Sequence, residues 1–311
     1  MSTGRVTVIG SLNMDLVIRA VRLPQPGETL IGRSVTHVPG GKGGNQAVAA
    51  ARLGATVAMI GRVGSDSHGA QLIRQLNDEE VNCSGLEASD VSPTGTAMIV
   101  VADDSQNAIV IVPGSNGEVS AHTVREHSRL IEAADVVVCQ MEIERDAVEA
   151  VLQTAHAMRR PIVLNPAPVT SSLPAHWYPL IDYLIPNEIE ASVLSGVQVK
   201  DPQSAREAAQ MLRFMGARNV LITLGAQGVY AVMADDPAGG GRHYPGRHVD
   251  AIDTTAAGDT FVGAFCAAIA ARKPVGSAIE FGIEAAAISV TRAGAQPSIP
   301  YLEELATLSS R

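Results

Sequence analysis

The sequence predicts an α/β fold in which a mostly parallel sheet is covered by helices. From about residue 120, short apolar runs alternate with helical stretches, which is the rhythm of βαβ units. Hydrophobic residues make up 46% of the chain but aromatic residues only 3%, so Ala, Val, Ile and Leu must fill the core, as in a buried parallel sheet. The strands predicted in this part are 136–139, 162–164, 183–186 and 220–223, with a hairpin at 229–249, and the helices are 120–133, 146–159, 188–195, 202–217, 258–271 and 275–292.

The N-terminal third follows a different rhythm. Two β-like runs, 96–101 and 108–112, have the spacing of a hairpin and do not fit the βαβ alternation. They are either edge strands of the main sheet or a small sheet beside it. Because ligands in open α/β folds bind at the carboxyl ends of the strands, a small sheet at that edge would be a lid. The other elements predicted here are strands at 6–9 and 56–61, rough alternation at 29–37, and helices at 43–53 and 66–77.

Charge and composition exclude several classes of partner. Lys and Arg number 23 against 32 Asp and Glu, a formal net charge of −9, and no basic run stands out. Neither nucleic acid nor an anionic membrane is therefore an expected partner. The three cysteines form no CxxC pair and are expected to be reduced thiols. No signal-peptide pattern and no apolar run of about 18 residues is present, so we expect a cytoplasmic protein.

The segment DTTAAGDT at 253–260 carries the strongest chemical signal. Ala256, Ala257 and Gly258 are small and precede a helix, so their N–H groups can face an anion at the positive end of the helix dipole. The motif predicts an anion hole for a transferring phosphoryl group, with Asp259 within reach of the attacking hydroxyl. The alternative is that Asp259 is only a first-turn acid favoured by the dipole. A P-loop is absent, since Lys42 is followed by glycine.

Two further segments offer polar groups to a small ligand. In PGGKGGNQA, at 39–47, the glycines let the backbone approach a ligand, and Lys42 and Asn45 add polar contacts; a flexible loop before a helix is the alternative. Asn13 and Asp15 lie two apart in an extended segment and therefore point the same way. An amide and a carboxylate together suit a vicinal diol, one donating and the other accepting, although a turn or cap is the alternative.

Acidic groups also follow two predicted strands. Asn187 and Glu190 open a helix, either as a cap with an acidic first turn or as groups that organise Mg²⁺ and its water near a triphosphate. Glu142 follows the strand at 136–139, at the edge where ligands collect.

Together these segments resemble the ribokinase-like carbohydrate kinases, the PfkB family, from Val6 to about Glu304. Further matching runs are GSLNMD at 10–15, LNPAP at 164–168, LITLG at 221–225 and TRAGAQPS at 291–298. The resemblance implies a Rossmann-like three-layer α/β/α fold and a single carbohydrate kinase domain over residues 1–311. Its small β-sheet lid would come from about 13–39 and 94–113. The family also implies a homodimer formed through this lid.

The resemblance implies roles for individual residues. Asp259 would take the proton from the primary hydroxyl, with Ala256, Ala257 and Gly258 as the anion hole. The residues expected to hold the sugar are Asn13, Asp15, Gly41, Lys42, Asn45, Ala97, Ile99, Glu142 and Asp259, with Ala97 and Ile99 as the apolar wall. Those expected to bind ATP are Asn187, Glu190, Thr223, Gly225, Gly228 and Gly258. A K⁺ ion is expected between Asp253 and Thr255 on one side and Arg292, Gly294 and Ser298 on the other.

The reaction implied is transfer of the γ-phosphoryl group of ATP to the 5-hydroxyl of D-ribose, giving ribose 5-phosphate and ADP. Mg²⁺ or another divalent cation would accompany the nucleotide, and K⁺ would act as a monovalent activator. The Asn13–Asp15 pair favours a ribose diol, because 2-deoxyribose would leave a buried polar group unpaired at a cost of roughly 1–3 kcal/mol. The alternatives are a kinase for deoxyribose, fructose or a nucleoside, and a non-catalytic sugar-binding protein.

Overall fold

A computed structural model describes residues 3–104, 106–169, 171–237 and 240–308, so residues 1–2, 105, 170, 238–239 and 309–311 of the predicted domain lie outside the described residues. The strands are β1 (Arg5–Ile9), β2 (Asn13–Ala20), β3 (Ser34–Gly40), β4 (Thr56–Gly64), β5 (Asn82–Ser89), β6 (Gly95–Ala102), β7 (Asn107–Val112), β8 (Val136–Cys139), β9 (Ile162–Leu164), β10 (Tyr183–Leu184), β11 (Asn219–Thr223), β12 (Val229–Val232) and β13 (Arg242–Tyr244). The helices are α1 (Lys42–Arg52), α2 (Ser67–Asp78), α3 (Ala121–Glu126), α4 (Ser128–Ala133), α5 (Arg145–Ala157), α6 (Glu188–Ser195), α7 (Pro202–Phe214), α8 (Ala257–Ala270), α9 (Val275–Ser289) and α10 (Leu302–Leu308). Within the described ranges, no helix has the length and apolar character needed to cross a membrane.

Nine of these strands form the main sheet, in the order β13-β12-β11-β10-β9-β8-β1-β4-β5. All neighbours from β11 to β5 pair in parallel, and β12 and β13 add an antiparallel edge. In β1, Val8 packs with α1, α2, α8 and α9, whereas Ile9 packs on the other face with α3 to α7. Since both faces are covered, the central strands are continuous apolar runs. The predicted three-layer α/β/α fold is confirmed.

The remaining four strands form a separate small sheet in the order β3-β2-β6-β7. The central strand β2 is antiparallel to β3 and parallel to β6. Because β2 begins shortly after β1 ends and β3 is followed closely by α1, the small sheet starts at the carboxyl edge of the main sheet. The two β-like runs at 96–101 and 108–112 pair here as β6 and β7, so the small-sheet alternative is correct.

Several predicted boundaries are wrong. The helix predicted at 120–133 is two helices, because the chain turns at His127 (φ −97°, ψ 16°). The helix predicted at 275–292 ends at Ser289, where the chain enters a tight turn. The strand expected within 29–37 begins at Ser34. Strand β5 was not predicted. For β2 only an extended segment at Asn13 and Asp15 was predicted, and the structure extends it to Ala20.

Candidate active site

The start of α1 lies against the carboxyl end of β1, and glycine makes this contact possible. Gly41, the N-cap of α1, has φ 83°, a left-handed conformation that glycine adopts without strain. A Cβ on Gly43 would lie 2.6 Å from the Ser11 backbone nitrogen, which is closer than real Cβ contacts. The Gly44 N–H donates to the Ser11 carbonyl at 2.9 Å. The glycine loop thus brings Lys42 to the edge where β1 ends.

Glu142, which follows β8, is held by the same loop. Ser11 Oγ donates to Glu142 Oε2 at 2.6 Å, and the Lys42 backbone N–H donates to the same oxygen at 3.1 Å. Ser11 Oγ in turn accepts from the Gly43 N–H at 3.3 Å. The carboxylate expected at the end of this strand therefore lies beside the glycine loop.

Asn13 and Asp15 lie on β2 and are both buried. Asn13 Oδ1 accepts a hydrogen bond from Asn116 Nδ2 at 2.7 Å, which leaves the Asn13 amide NH₂ group to donate elsewhere. Asp15 Oδ1 is buried with no hydrogen-bond partner in the described part of the chain. Burial first, then the negative charges of Glu142 and Asp259, raise the pKa of Asp15 to about 7. The pair presents a donor and an acceptor, as a diol requires.

The neighbouring strands enclose Asp15. Ala97 on β6 pairs in register with Asp15, and Ile99 pairs with Val17. Ala97 is buried and Ile99 is half-buried, so both give an apolar surface beside the polar pair. On the β3 side, a Cβ on Gly40 would lie 2.3 Å from Asp15 Oδ2, so only glycine leaves room for this carboxylate.

Asp259 stands in the first turn of α8 and is only 6% exposed. Its Oδ2 accepts from Asn45 Nδ2 and its Oδ1 accepts from Gln46 Nε2, both at 2.9 Å. Both donors lie at the start of α1, so the glycine loop and the DTTAAGDT segment meet at this carboxylate. Each carboxylate oxygen keeps a second lone pair for a ligand hydroxyl. Asn45 Oδ1 is also buried and has no partner within the described ranges.

The turn before Asp259 has the properties of an anion site. Ala256, the N-cap of α8, has φ 58°, a left-handed conformation that costs a residue with a Cβ about 1–2 kcal/mol. A Cβ on Gly258 would meet no atom within 4 Å, so open space lies in front of it. The first N–H groups of a helix have no partner inside the helix, and the dipole adds positive potential. The turn can therefore bind a phosphoryl group.

A pocket of about 210 Å³ opens at this turn. Its lining combines the turn with the ends of β9, β10 and β11: Lys42, Asn165, Ala167, Ile185, Asn187, Glu190, Thr223, Thr254, Ala256, Ala257, Gly258, Asp259 and Val262. The negative charge of Asp259 is the main cause that raises the pKa of Lys42, and the charges of Glu142 and Glu190 add to it although burial lowers it. The Lys42 ammonium group therefore stays charged among these carboxylates.

Asn187 and Glu190 form a capping box at the start of α6. Asn187 Oδ1 accepts from the Glu190 N–H at 2.8 Å, and Glu190 Oε2 accepts from the Asn187 N–H at 2.9 Å. The helix-cap interpretation is therefore correct, and both residues also line the pocket. Burial raises the pKa of Glu190. The cap fixes both side chains at the rim without using all of their polar atoms.

Three residues at or after the end of β11 were expected to bind ATP: Thr223, Gly225 and Gly228. Of these, only Thr223 lines this pocket. Gly225 has φ 51° and Gly228 has φ 90°, so both serve the turn that leads to β12. A Cβ on Gly228 would lie 2.1 Å from the Tyr244 carbonyl oxygen. Gly228 is therefore required by close backbone packing, and the structure does not bring it to the pocket.

Asp253 ties together the two segments expected to hold a monovalent cation. Its Oδ1 accepts from the N–H and the hydroxyl of Thr255, at 2.9 and 2.6 Å, and its Oδ2 accepts from the Gly294 N–H at 2.9 Å. Although burial raises it, these hydrogen bonds lower the pKa of Asp253. The carboxylate holds the turn that precedes Ala256, so a cation here would be bound mainly by backbone carbonyls.

Arg292 and Ser298 already have partners in the C-terminal part of the chain. Arg292 forms an ion pair with Glu304, and Ser298 Oγ donates to the Ala295 carbonyl at 2.7 Å. Among the residues that the structure describes, no group of three or more His, Cys, Asp or Glu is placed to hold a metal ion.

A protein-family model described as pfkB family carbohydrate kinase matches residues 3–302. The chain belongs to this family. A ribokinase of Haemophilus influenzae is 44% identical over 299 residues, 96% of each chain, and a deoxyribokinase of Salmonella typhi is 32% identical over 299 residues, again 96% of each. The solved structure of Arabidopsis thaliana ribokinase complexed with ribose and ATP is 29% identical, covers 99% of each chain and has a TM-score of 0.92. The PfkB family predicted from the motifs is confirmed.

Four buried amides of this pfkB kinase were not predicted as site residues: Gln46, Asn116, Gln140 and Asn165. Gln140 directly follows β8 and Asn165 directly follows β9, so their positions at strand ends were a usable signal. Asn116 comes from the turn Gly114–Glu118, and no sequence pattern connects this turn with Asn13.

Proposed function

We propose that this kinase transfers the γ-phosphoryl group of ATP to the 5-hydroxyl of D-ribose, giving ribose 5-phosphate and ADP in the cytoplasm. The observation that carries the proposal is the position of Asp259. Its negative charge helps to raise the pKa of Asp15 on β2, and Asp259 and its own turn line the pocket where an anion would bind. A single buried carboxylate thus lies between a diol site and a phosphoryl site. The choice of D-ribose and ATP as substrates rests on the relatives: the Haemophilus influenzae protein is named a ribokinase, and the Arabidopsis thaliana structure contains ribose and ATP.

Asp259 is the general base in this account. Phosphoryl transfer needs mainly positioning and charge stabilisation, so a carboxylate that accepts the hydroxyl proton late in the transfer is sufficient. The N–H groups of Ala256 and Gly258 stabilise the charge on the transferring group. Ala257, also predicted as part of the anion hole, has its N–H bonded to the Thr254 carbonyl at 3.2 Å and supports the turn instead. Ala97 and Ile99 form the apolar side of the sugar site. The residues that bind the sugar hydroxyls are Asn13, Asp15, Gly41, Lys42, Asn45 and Glu142.

ATP lies across the pocket with its phosphates at the anion turn. Asn187, Glu190 and Thr223 line the far side of this pocket. Gly225, also predicted to bind ATP, lies in the turn after β11 and is not part of the lining. Mg²⁺ usually keeps several waters and binds one or two carboxylates together with substrate phosphates, and the Glu190 carboxylate at the pocket fits that requirement. When bound, Mg²⁺ neutralises phosphate charge. K⁺ would bind the carbonyls of the Asp253–Gly294 junction and order the anion turn.

The kinase forms a homodimer through the small sheet. Its outer strand β7 is exposed along its whole length and carries Ile109, Val110, Ile111 and Val112, between 48% and 62% exposed. A contiguous apolar strand of this kind marks an interaction surface. Light scattering should therefore give twice the chain mass for the wild type and the single-chain mass for Ile109→Lys/Ile111→Lys; a wild-type monomer would contradict the dimer.

The test of the proposed function is a coupled ADP-release assay with Mg-ATP. D-ribose, 2-deoxyribose, fructose and adenosine are compared as acceptors, each with and without K⁺. A preference for D-ribose that rises with K⁺ supports both the acceptor and the cation. Faster turnover with 2-deoxyribose would move the specificity to that of the Salmonella typhi relative. No turnover with any of the four acceptors would refute the ribokinase assignment and leave another acceptor or a non-catalytic sugar-binding protein.

A further inference from the structure

A chain of buried amides ends on the Asp259 carboxylate. Gln46 and Gln140 are completely buried. Gln140 Nε2 donates to Gln46 Oε1 at 2.7 Å, and Gln46 Nε2 donates both to Asp259 Oδ1 at 2.9 Å and to Asn165 Oδ1 at 3.0 Å. Asn165 Nδ2 donates in turn to the Ile185 carbonyl at 2.8 Å. The chain therefore connects the ends of β8, β9 and β10 with the start of α8.

The partners of Gln46 fix the orientation of its amide. Both hydrogens on Nε2 are used, one on Asp259 and one on Asn165, and Oε1 accepts from Gln140. A flipped amide would turn Oε1 towards two acceptor oxygens and its NH₂ group towards the NH₂ group of Gln140. In a buried network such repulsion is strong, because no water screens it. The acceptor oxygens of Asp259 and Asn165, together with the Gln140 donor, therefore hold Gln46 with its NH₂ group towards the carboxylate.

We propose that Gln46 is a positioning residue for Asp259 and that Gln140 acts only through Gln46. Asn45 and Gln46 each hold one carboxylate oxygen of Asp259, so the plane of the carboxylate is set before any ligand arrives. The remaining lone pairs are then directed at the acceptor hydroxyl. Misplacing a reacting group by about 1 Å can cost roughly 100-fold in rate. This inference rests on the proposed function, since Gln46 acts through the base of that reaction.

The two amide donors of Asp259 differ in what else they contact. Asn45 keeps a buried, unpartnered Oδ1 within the described residues, so it has an atom left for a sugar. Both polar atoms of the Gln46 side chain are already bonded to protein groups. Loss of the Gln46 amide should therefore lower kcat and leave the KM for sugar nearly unchanged, whereas a purely structural role would lower the melting temperature without this kinetic pattern.

The test compares wild type, Gln46→Met, Gln140→Met and the double variant, because methionine has a similar length and no comparable donor or acceptor. We expect kcat to fall about 10- to 100-fold in Gln46→Met and about 3- to 10-fold in Gln140→Met, with KM for ribose within about threefold of wild type. The double variant should match Gln46→Met alone, because Gln140 has no separate route to Asp259. Unchanged kcat in Gln46→Met, or multiplied effects in the double variant, would overturn the proposal.

Two additional variants keep the test decisive. Gln46→Glu retains the acceptor for Gln140 but places a carboxylate against Asp259. The kcat of Gln46→Glu should therefore fall at least as far as that of Gln46→Met. This variant provides the test if Gln46→Met folds poorly. Asn219→Leu is the matched control: this buried amide at the start of β11 bonds the Asp182 carbonyl at 2.8 Å and the Ala234 N–H at 2.9 Å, and its loss should lower the melting temperature alone. Absence of wild-type turnover on ribose refutes the proposed function, whereas normal wild-type turnover with unaffected Gln46 variants refutes only the positioning role.

Discussion

Two buried carboxylates of this kinase, Asp259 and Asp15, are held in opposite ways. They are 6% and 9% exposed, so burial does not separate them. Both oxygens of Asp259 accept amide hydrogen bonds, whereas Asp15 Oδ1 has no partner in the described part of the chain. A buried polar atom without a partner is costly unless a ligand supplies one. If Asp259 is the base and Asp15 binds the sugar, as proposed, then the protein prearranges the base and the sugar completes its own site.

The largest effect on kcat should come from a substitution at Asp259. Asp259→Asn keeps the volume of the side chain but removes the proton acceptor, so kcat should fall by about 10²- to 10⁴-fold in the ADP-release assay. The KM for MgATP should change little, because the anion turn is backbone. Turnover within a few-fold of wild type would show that Asp259 is not the base.

A substitution at Asp15 should weaken sugar binding and leave the chemical step little changed. Asp15→Ala removes an acceptor of charge-assisted hydrogen bonds, so the KM for ribose should rise about 10- to 100-fold. Asp103→Ala, on the exposed surface of the small sheet where Asp103 pairs with Arg33 at 2.8 Å, is the matched control and should leave this KM unchanged. An unchanged KM in Asp15→Ala would remove Asp15 from the sugar site.

A smaller effect should appear in the pH dependence of sugar binding. The pKa of Asp15 is raised to about 7, so the carboxyl is mostly protonated at pH 6 and mostly ionised at pH 8. Sugar hydroxyls donate to the ionised form, and the KM for ribose should therefore fall about tenfold between these two pH values. Asp15→Asn should abolish this change, since an amide does not titrate. A KM that rises with pH would contradict the account.

Short motifs at the carboxyl edge of the sheet could be predicted from the sequence, whereas contacts between residues far apart in the chain could not. The DTTAAGDT turn, the glycine loop and the Asn13–Asp15 pair each lie in a short segment, so their local chemistry could be inferred. The capping box of Asn187 and Glu190 was foreseeable for the same reason, because its spacing is local. The contact between Gln46 and Asp259 joins residues 213 positions apart, and periodicity carries no information on it.

Two misses have a physical cause in the small sheet. In β2 the polar–apolar alternation covers only Asn13 to Leu16 and then gives way to the apolar run Leu16 to Ile18, so an extended segment was predicted but no strand of this length. Asn116 orients Asn13 from a turn that follows β7, so only the folded small sheet brings them together.

The most direct test of the central comparison is calorimetric titration of ribose into Asp259→Asn and Asp15→Ala. If the base is prearranged and the sugar site is completed by its ligand, Asp259→Asn should bind ribose within about threefold of wild type, and Asp15→Ala should bind about 10- to 100-fold more weakly. Weak binding by Asp259→Asn together with normal binding by Asp15→Ala would contradict the account.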